Sequence, residues 1–112
     1  MSDCIFCKIV AGEIPSSKVA ENEHAIAFHD INSEQPVHIL AVPKQHFSNV
    51  SDLALNDSGI TAEFMRFVAE VAAEQTNGHY RLQFNTGAAA GQTVFHVHAH
   101  VLAGGLKEGS LA

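Results

Sequence analysis

The sequence predicts an α+β fold in which helices pack against one antiparallel sheet of five strands. Five segments have the length and the apolar or alternating pattern of strands, and one long segment has the three- and four-residue spacing of an amphipathic helix. Most of the strands follow one another directly, which favours antiparallel pairing. Because 112 residues fit one domain, we expect residues 1–112 to form a single unit.

The first third of the chain predicts a short helix followed by two strands. Asp3 is a suitable N-cap for a helix over residues 4–10, which is followed by a glycine that would end it. Lys18–Glu21 and residues 24–30 are predicted to be strands joined by a turn.

The middle of the chain predicts a central strand, a loop and the long helix. Residues 37–42 are almost continuously apolar, which is typical of a strand covered on both faces. Residues 46–53 are predicted to form a loop with room for one helical turn. Three consecutive capping residues then precede a helix predicted over residues 58–76. Its buried stripe is predicted to comprise Ile60, Phe64, Phe67, Val68, Val71 and Ala72.

The last third predicts two strands separated by a loop of small residues. The strands span residues 80–86 and 95–102, and residues 85–93 between them are rich in glycine and alanine. A Gly-rich tail over residues 103–112 is expected to be irregular.

Three histidines alternate with apolar residues in the final strand. Because successive side chains of a strand point to opposite faces, His96, His98 and His100 should share one face, roughly 7 Å apart. On a helix the same residues would spread around the axis. The other face is expected to lie against a hydrophobic layer and to carry Phe95, Val97, Ala99 and Val101.

Such a row of imidazoles is compatible with an exposed surface, with metal binding, or with catalysis by a nucleophile or base. The loop just before the row favours catalysis, because glycines let backbone N–H groups approach an anion closely. A phosphate-sized loop beside a histidine row therefore suggests phosphoryl or nucleotidyl chemistry.

Charge and hydropathy argue against several classes of partner. The formal net charge is −6 and no basic run stands out, which argues against binding to nucleic-acid polymers. No apolar run approaches the roughly 18 residues that span a membrane, and the first residues lack the pattern of a signal peptide. We therefore expect a cytoplasmic protein that does not associate with membranes.

The two cysteines, Cys4 and Cys7, stand three positions apart near the N-terminus. In a cytoplasmic protein this spacing favours metal binding or redox chemistry over a structural disulfide. Two simply buried thiols are the alternative.

The histidine strand resembles the signature of the histidine triad (HIT) nucleotide-binding family, in which three histidines alternate with apolar residues: His96-Val97-His98-Ala99-His100-Val101-Leu102. The preceding Asn85-x-Gly87-x-x-x-Gly91-Gln92-x-Val94 is similar to the family's approach to that motif. Three earlier segments extend the similarity in the family's order: Ile5-Phe6-Cys7-Lys8-Ile9, Ala27-Phe28-His29-Asp30-Ile31 and Pro36-Val37-His38-Ile39-Leu40-Ala41-Val42-Pro43-Lys44-Gln45-His46. Within the family, the chain looks most like the bacterial purine nucleoside phosphoramidase-like branch.

The resemblance implies a hydrolase that cleaves nucleoside 5′-monophosphate derivatives, such as purine nucleoside phosphoramidates, at the α-phosphate. His98 would be the nucleophile and would form a nucleotidyl-histidine intermediate. The attacking ring nitrogen must be unprotonated, so the other should carry the proton and donate it to a carbonyl. His100 would orient His98 or donate to a phosphate oxygen. His38 would orient groups near the phosphate, with a buried core histidine as the alternative.

The resemblance also implies how the nucleotide is held. Gln92 and Thr93 would donate to phosphate or leaving-group oxygens, and the loop around Gly91 would supply backbone N–H groups. Asn85 would contact the phosphate or ribose side. Asp30 would accept from ribose hydroxyls. For Asn85 and Asp30 a turn-forming role is the alternative. The base would lie in an apolar slot lined by Ile5, Phe6, Ile9, Phe28 and Ile31.

A structural zinc ion and a homodimer are two further implications. Family members with this cysteine pair complete a tetrahedral site with two histidines, so the ligands here would be Cys4, Cys7, His46 and His96. His96 would then be structural. A homodimer would join the two sheets, and it is also favoured by a helix stripe longer than one small sheet is expected to cover.

Other functions fit the same residues. One is a nucleotide-binding module with little turnover, and another is a metal-binding protein that uses the whole histidine row. A dinucleoside polyphosphate hydrolase is a third.

Overall fold

The computed structural model describes residues 3–33 and 35–106 and contains the predicted five-stranded antiparallel sheet. The strands lie in the order β1-β2-β3-β5-β4, and all neighbouring pairs are antiparallel. Their bounds are β1 Lys18–Glu21, β2 Ala25–His29, β3 Val37–Pro43, β4 Arg81–Gln83 and β5 Ala99–Ala103. The apolar strand β3 is central, as predicted, and β5 lies beside it.

Three α-helices accompany the sheet: α1 Ile5–Val10, α2 Val50–Asn56 and α3 Ser58–Gln75. The sequence predicted α3 to within one residue. Cys4 is the N-cap of α1, since its Sγ accepts a hydrogen bond from the Cys7 N–H at 3.3 Å. The predicted cap, Asp3, stands one position too early.

Helix α2 occupies the second half of the segment 46–53, where the sequence predicted a loop with room for one helical turn, and it continues to Asn56. Asn49 caps the helix by accepting from the Asp52 N–H at 2.8 Å, and the Asp52 carboxylate accepts from the Ser48 N–H at 2.9 Å. A capping residue followed three positions later by an acid that bonds back to the chain before the helix is a helix-start signal that the sequence does contain.

The two faces of the sheet carry separate hydrophobic clusters. On one face, α3 packs Phe64, Phe67, Val68, Val71 and Ala72 onto strand residues that include Ala25, Ala27, Ile39, Ala41, Ala99 and Val101. On the other face, α1 contributes Phe6 to a cluster with Ile26, Phe28, Leu40 and Val42. Strand β2 therefore alternates between the two faces, because its alanines and its large apolar residues fall in different clusters.

The histidine strand is shorter than predicted, since β5 begins at Ala99 and not at residue 95. The residues just before it bond to the segment that follows β3: the Val97 N–H donates to the Phe47 carbonyl at 2.7 Å. Val97 still packs with the α3 face, but Phe95 is 50% exposed, so its predicted burial is wrong. β4 is likewise only three residues long.

The predicted irregular tail is described only in part. Ala103 belongs to β5, and residues 107–112 lie outside the described residues. Among the described residues, no helix is long and apolar enough to cross a membrane.

Candidate active site and metal site

His98 lies immediately before β5, and its ring is held by the backbone. Its Nδ1 is 2.9 Å from the carbonyl oxygen of His96, and the side chain is buried. A carbonyl can only accept, so Nδ1 carries the proton and Nε2 keeps its lone pair. This is the tautomer that a nucleophilic imidazole requires.

His38 and His100 form a side-chain pair next to His98. In the register of the sheet, His38 lies opposite Leu102, which makes it a diagonal neighbour of His100 on the same face. The two rings meet with His38 Nε2 at 2.9 Å from His100 Nδ1. The rings of His98 and His100 have centroids 4.9 Å apart, so the three imidazoles are mutual neighbours.

Burial keeps these imidazoles neutral. Desolvation lowers the pKa of His100 to about 4 and lowers the pKa values of His98 and His38 as well. A neutral imidazole can act as nucleophile or base, so the environment suits that chemistry near neutral pH.

Asp30 follows β2 directly and lies beside this group. Its Oδ2 lies 3.6 Å from His38 Nδ1, a distance for an electrostatic contact but too long for a hydrogen bond. The sequence suggested a ribose contact or a turn for Asp30, and its Oδ1 does accept from the Asn32 N–H at 3.0 Å in a turn.

The small-residue loop before β5 satisfies much of its own backbone. Ala88–Ala90 form a 3₁₀ turn, and the N–H of Gly91 donates to the Ala88 carbonyl at 3.0 Å. Gly87 and Gly91 have φ values of 89° and 94°, which favour glycine. In this structure the Gly91 N–H is therefore engaged within the loop, and Gly91 shapes the loop that precedes the histidines.

Gln92 is buried within this loop and its side chain is fully engaged. Nε2 donates to the carbonyls of Ser48 at 2.7 Å and Val94 at 3.0 Å, and Oε1 accepts from the Gly87 N–H at 2.9 Å. Direct donation to a phosphate would break one of these bonds, so in this structure Gln92 holds the loop in place. Thr93, next in the chain, is exposed.

Gln83 is a site neighbour that the sequence did not identify. It lies opposite His100 in the β4–β5 register, which places it on the histidine face, and its Nε2 donates to Asn85 Oδ1 at 3.2 Å. That bond leaves the Asn85 amide N–H groups available as donors. Only strand pairing reveals this neighbour, because β4 has no distinctive pattern of its own.

Three of the five residues predicted to line a base slot come together beside His98. Phe6, Ile9 and Phe28 belong to the cluster on the α1 face. The ring of Phe6 lies edge-on to His98 with centroids 5.0 Å apart and to Phe28 at 5.6 Å. The other two, Ile5 and Ile31, are 45% and 80% exposed.

A second group of side chains, distinct from the His38–His100 pair, could hold a metal ion. Cys4, Cys7, His46 and His96 each offer a ligand atom, and these atoms all lie within 4.8 Å of one another. His96 is fully buried, and its Nε2 donates to the Pro43 carbonyl at 2.8 Å, so Nδ1 faces the group with its lone pair. Of the three histidines in the row, this described group contains only His96, which argues against a metal site made from the whole row.

Comparison with known proteins identifies the family. A family model described as "Scavenger mRNA decapping enzyme C-term binding" matches residues 3–111. A histidine triad protein from Clostridium difficile superposes with a TM-score of 0.87 at 38% identity, covering 99% of this chain and 98% of that one. The chain belongs to the histidine triad family.

Two other members of the histidine triad family show how far the similarity extends. A HIT family hydrolase from Clostridium thermocellum gives a TM-score of 0.86 at 41% identity, with 99% of this chain and 97% of that chain covered. Protein HitA of Neisseria gonorrhoeae is 39% identical over 103 residues, which are 91% of this chain and 96% of that protein. The similarity is therefore between chains of nearly equal extent.

Proposed function

We propose that this chain is a nucleotide-binding hydrolase that cleaves nucleoside 5′-monophosphate derivatives at the α-phosphate, with phosphoramidates as the preferred class. The observation that carries the proposal is the His98 tautomer, because the His96 carbonyl takes the Nδ1 proton and leaves Nε2 as the attacking atom. The similarity to the HIT family hydrolase of Clostridium thermocellum supports the same reaction type.

The reaction has two displacement steps. His98 Nε2 bonds to phosphorus as the P–N bond breaks, and the departing amine takes the electron pair and a proton. Water then attacks the nucleotidyl-histidine, the N–P bond to His98 breaks, and a nucleoside monophosphate leaves. A neutral nucleophile avoids the repulsion that a carboxylate would meet at a phosphate.

The surrounding residues keep the roles that the family resemblance implies, with the revisions above. His38 and His100 act on the phosphate and the leaving group, and Asp30 receives the ribose hydroxyls. Asn85 and Thr93 donate to ligand oxygens, while Gly91 and Gln92 shape the loop. The base lies in a slot lined by Ile5, Phe6, Ile9, Phe28 and Ile31, and purines are the expected bases.

Zinc is the metal proposed for the second group, with a structural role. Tetrahedral zinc with about 2.0 Å bonds to nitrogen and about 2.3 Å bonds to sulfur separates its ligand atoms by about 3.3 to 3.8 Å. The atoms here are 3.1 Å apart between the His46 and His96 nitrogens and 3.3 Å from Cys4 Sγ to the His96 nitrogen. The hydrogen bond from His96 to a carbonyl also orients the ring as in known metal-ligating histidines. When bound, the ion would join α1 to the chain before β5.

Substitution of the nucleophile tests the proposed reaction. His98→Asn keeps a polar side chain of similar reach but removes the attacking nitrogen. We expect hydrolysis of an adenosine 5′-phosphoramidate to fall by at least about a thousandfold, as is typical for loss of a nucleophile. Binding of AMP, measured by calorimetry, should persist.

His79→Asn is the matched control, since His79 is exposed and lies outside the site. It should leave turnover unchanged. Turnover by His98→Asn within about tenfold of the parent would contradict the mechanism. AMP binding by a parent chain that hydrolyses neither phosphoramidates nor dinucleoside polyphosphates would instead indicate a binding module.

A further inference from the structure

The His38–His100 pair has a buried polar atom without a hydrogen bond at each end. Among the described residues, neither Nδ1 of His38 nor Nε2 of His100 has a hydrogen-bond partner, although the inner nitrogens of the pair are 2.9 Å apart. Buried polar atoms are almost always paired, so each open end calls for an explanation. The mechanism proposed above gives roles to both histidines but does not say where the protons of the pair lie.

Asp30 lies in a fixed position facing the His38 end of the pair. Its backbone N–H donates to the His38 carbonyl at 2.9 Å, and its Oδ1 accepts from the Asn32 N–H at 3.0 Å. These two bonds leave Oδ2 directed at His38, 3.6 Å from Nδ1. Both side chains are largely buried, at 14% exposed for His38 and 25% for Asp30.

A carboxylate in this place determines where the protons of the pair lie. An ionised carboxylate only accepts, so it favours the proton of His38 on Nδ1. Nε2 of His38 is then an acceptor, and His100 must donate to it from Nδ1. Nε2 of His100 becomes the atom at which the pair gains or gives up a proton.

The same carboxylate counteracts the effect of burial on charge. Burial dominates and lowers the pKa values of His38 and His100, whereas the negative charge of Asp30 raises both. Positive charge on the pair is therefore stabilised from the Asp30 side, and a bound phosphate would add a second negative charge on the other.

We propose that Asp30, besides its ribose contact, is a positioning residue for leaving-group protonation, because its carboxylate sets the direction of the His38–His100 hydrogen bond and stabilises the pair when it is positively charged. This proposal rests on the proposed hydrolysis of phosphoramidates. Asp30 would then act both in binding the ribose and in the departure of the amine.

The proton balance of the two steps is complete. When the phosphate of the substrate is bound beside the pair, the pair takes up a proton from solvent at Nε2 of His100. In the first step, this Nε2–H gives its proton to the departing amine nitrogen, which holds the electron pair of the broken P–N bond. Neutral His100 then retains its Nδ1 proton, which it donates to His38. In the second step, Nε2 of His100 takes a proton from the attacking water and the charged state is restored.

The test compares substrates that differ in their need for this proton. An alkylamine phosphoramidate of adenosine needs protonation of its leaving group, whereas the p-nitrophenyl ester of AMP releases a stable anion. We expect Asp30→Asn to lower kcat/KM for the phosphoramidate by at least about tenfold more than for the ester, within the usual range for acid catalysis. The asparagine can still accept from the Asn32 N–H, so the turn should survive.

A third substrate separates this effect from ribose binding. With a 2′,3′-dideoxyadenosine phosphoramidate, the sugar hydroxyls are absent, and the loss caused by Asp30→Asn should persist. The control is Glu23→Gln, which removes an exposed carboxylate 3.7 Å from His24 Nε2, outside the site. It should change neither rate. Equal losses for both leaving groups, or a loss that disappears with the dideoxy substrate, would overturn the proposal.

Nitrogen-15 spectra of the parent chain test the tautomer without any turnover. We expect the neutral His38 ring to carry its proton on Nδ1, and a proton on Nε2 would overturn the proposal whatever the kinetics show. A parent chain that hydrolyses neither substrate defeats the proposed function, while the spectra still report whether Asp30 sets the tautomer.

Discussion

His98 and His100 are two positions apart in the chain, but their rings are held by different kinds of partner. His98 donates to a backbone carbonyl, at residue 96, whereas His100 bonds to the side chain of His38. No side-chain substitution can remove the carbonyl, so the tautomer of His98 is set by the backbone alone. The protons of His100 depend on two other side chains, His38 and Asp30, and are open to change by mutation.

Acid should destabilise the chain by charging imidazoles that burial keeps neutral. Burial lowers the pKa of His100 to about 4, whereas unfolded histidine titrates at about 6.5. Between these values the unfolded chain binds more protons, so the free energy of unfolding decreases as the pH falls. Urea titrations at about pH 7 and about pH 5 should show a smaller acid loss in His100→Asn than in the parent.

The exposed His79 again supplies the control, since His79→Asn should leave the acid loss of the parent unchanged. An acid loss in His100→Asn as large as that of the parent would show that His100 does not contribute to the pH dependence.

At the level of elements, α1 connects the metal site with the active site. Cys4 and Cys7 lie at its start, and between them Phe6 lies against both His96 and His98, with ring centroids 6.1 and 5.0 Å apart. A helix of six residues has little stability of its own, so its position depends on these tertiary contacts. A metal ion that fixes the two cysteines would also fix the Phe6 ring on His98.

Removal of one metal ligand should therefore lower the melting temperature first, and the rate of hydrolysis should fall only as the fold loosens. We expect about one zinc per chain in the parent, little zinc in Cys7→Ser, and a lower melting temperature in that variant. Cys7 is the better position to change, because Cys4 also caps α1. Elemental analysis and thermal unfolding with and without added zinc are the measurements.

A matched histidine pair completes the zinc experiment. His46→Asn should lose metal, whereas His24→Asn, outside the cluster, should keep it. Zinc far below one per chain in the parent, with no stabilisation on addition, would show that the cysteines do not serve a structural zinc site.

The spacing of apolar residues predicted the helices and strands that have one buried face. It failed where local contacts decide the structure. The stripe of α3 is visible because Phe64, Val68 and Val71 recur at helical spacing, and all are buried. Helix α2 buries only Leu53, so its apolar signal is weak. The contact of Asp30 with His38 joins the end of one strand to the start of another, and sequence spacing does not encode it.

For the whole molecule, the exposed sheet edge is the main support in the structure for a homodimer. The apolar stripe of α3 does not support a homodimer, because it is buried within the chain. Met65, at 37%, is the only exposed large apolar residue of that helix. β4 is an outer strand of the described sheet, and Tyr80 beside it is 41% exposed. Outer strands readily pair with another chain.

Sedimentation equilibrium should therefore give twice the 12.0 kDa chain mass at a concentration of tens of micromolar. We expect Tyr80→Lys to shift the population toward monomer by placing charge at the β4 edge, while Met65→Lys on α3 should not. A monomeric parent would contradict the dimer, and dissociation by Met65→Lys alone would place the interface on α3.

The separation of the two sheet faces has a consequence for how such a protein can evolve. Along β5, Ala99 and Val101 belong to the cluster under α3, while His100 between them lies on the face that pairs with His38. Substitutions that share no partners have nearly additive effects on stability. Under the proposed function, mutations on the histidine face would therefore alter substrate preference while the packing beneath α3 is inherited unchanged, so new specificities would arise without the fold being selected again.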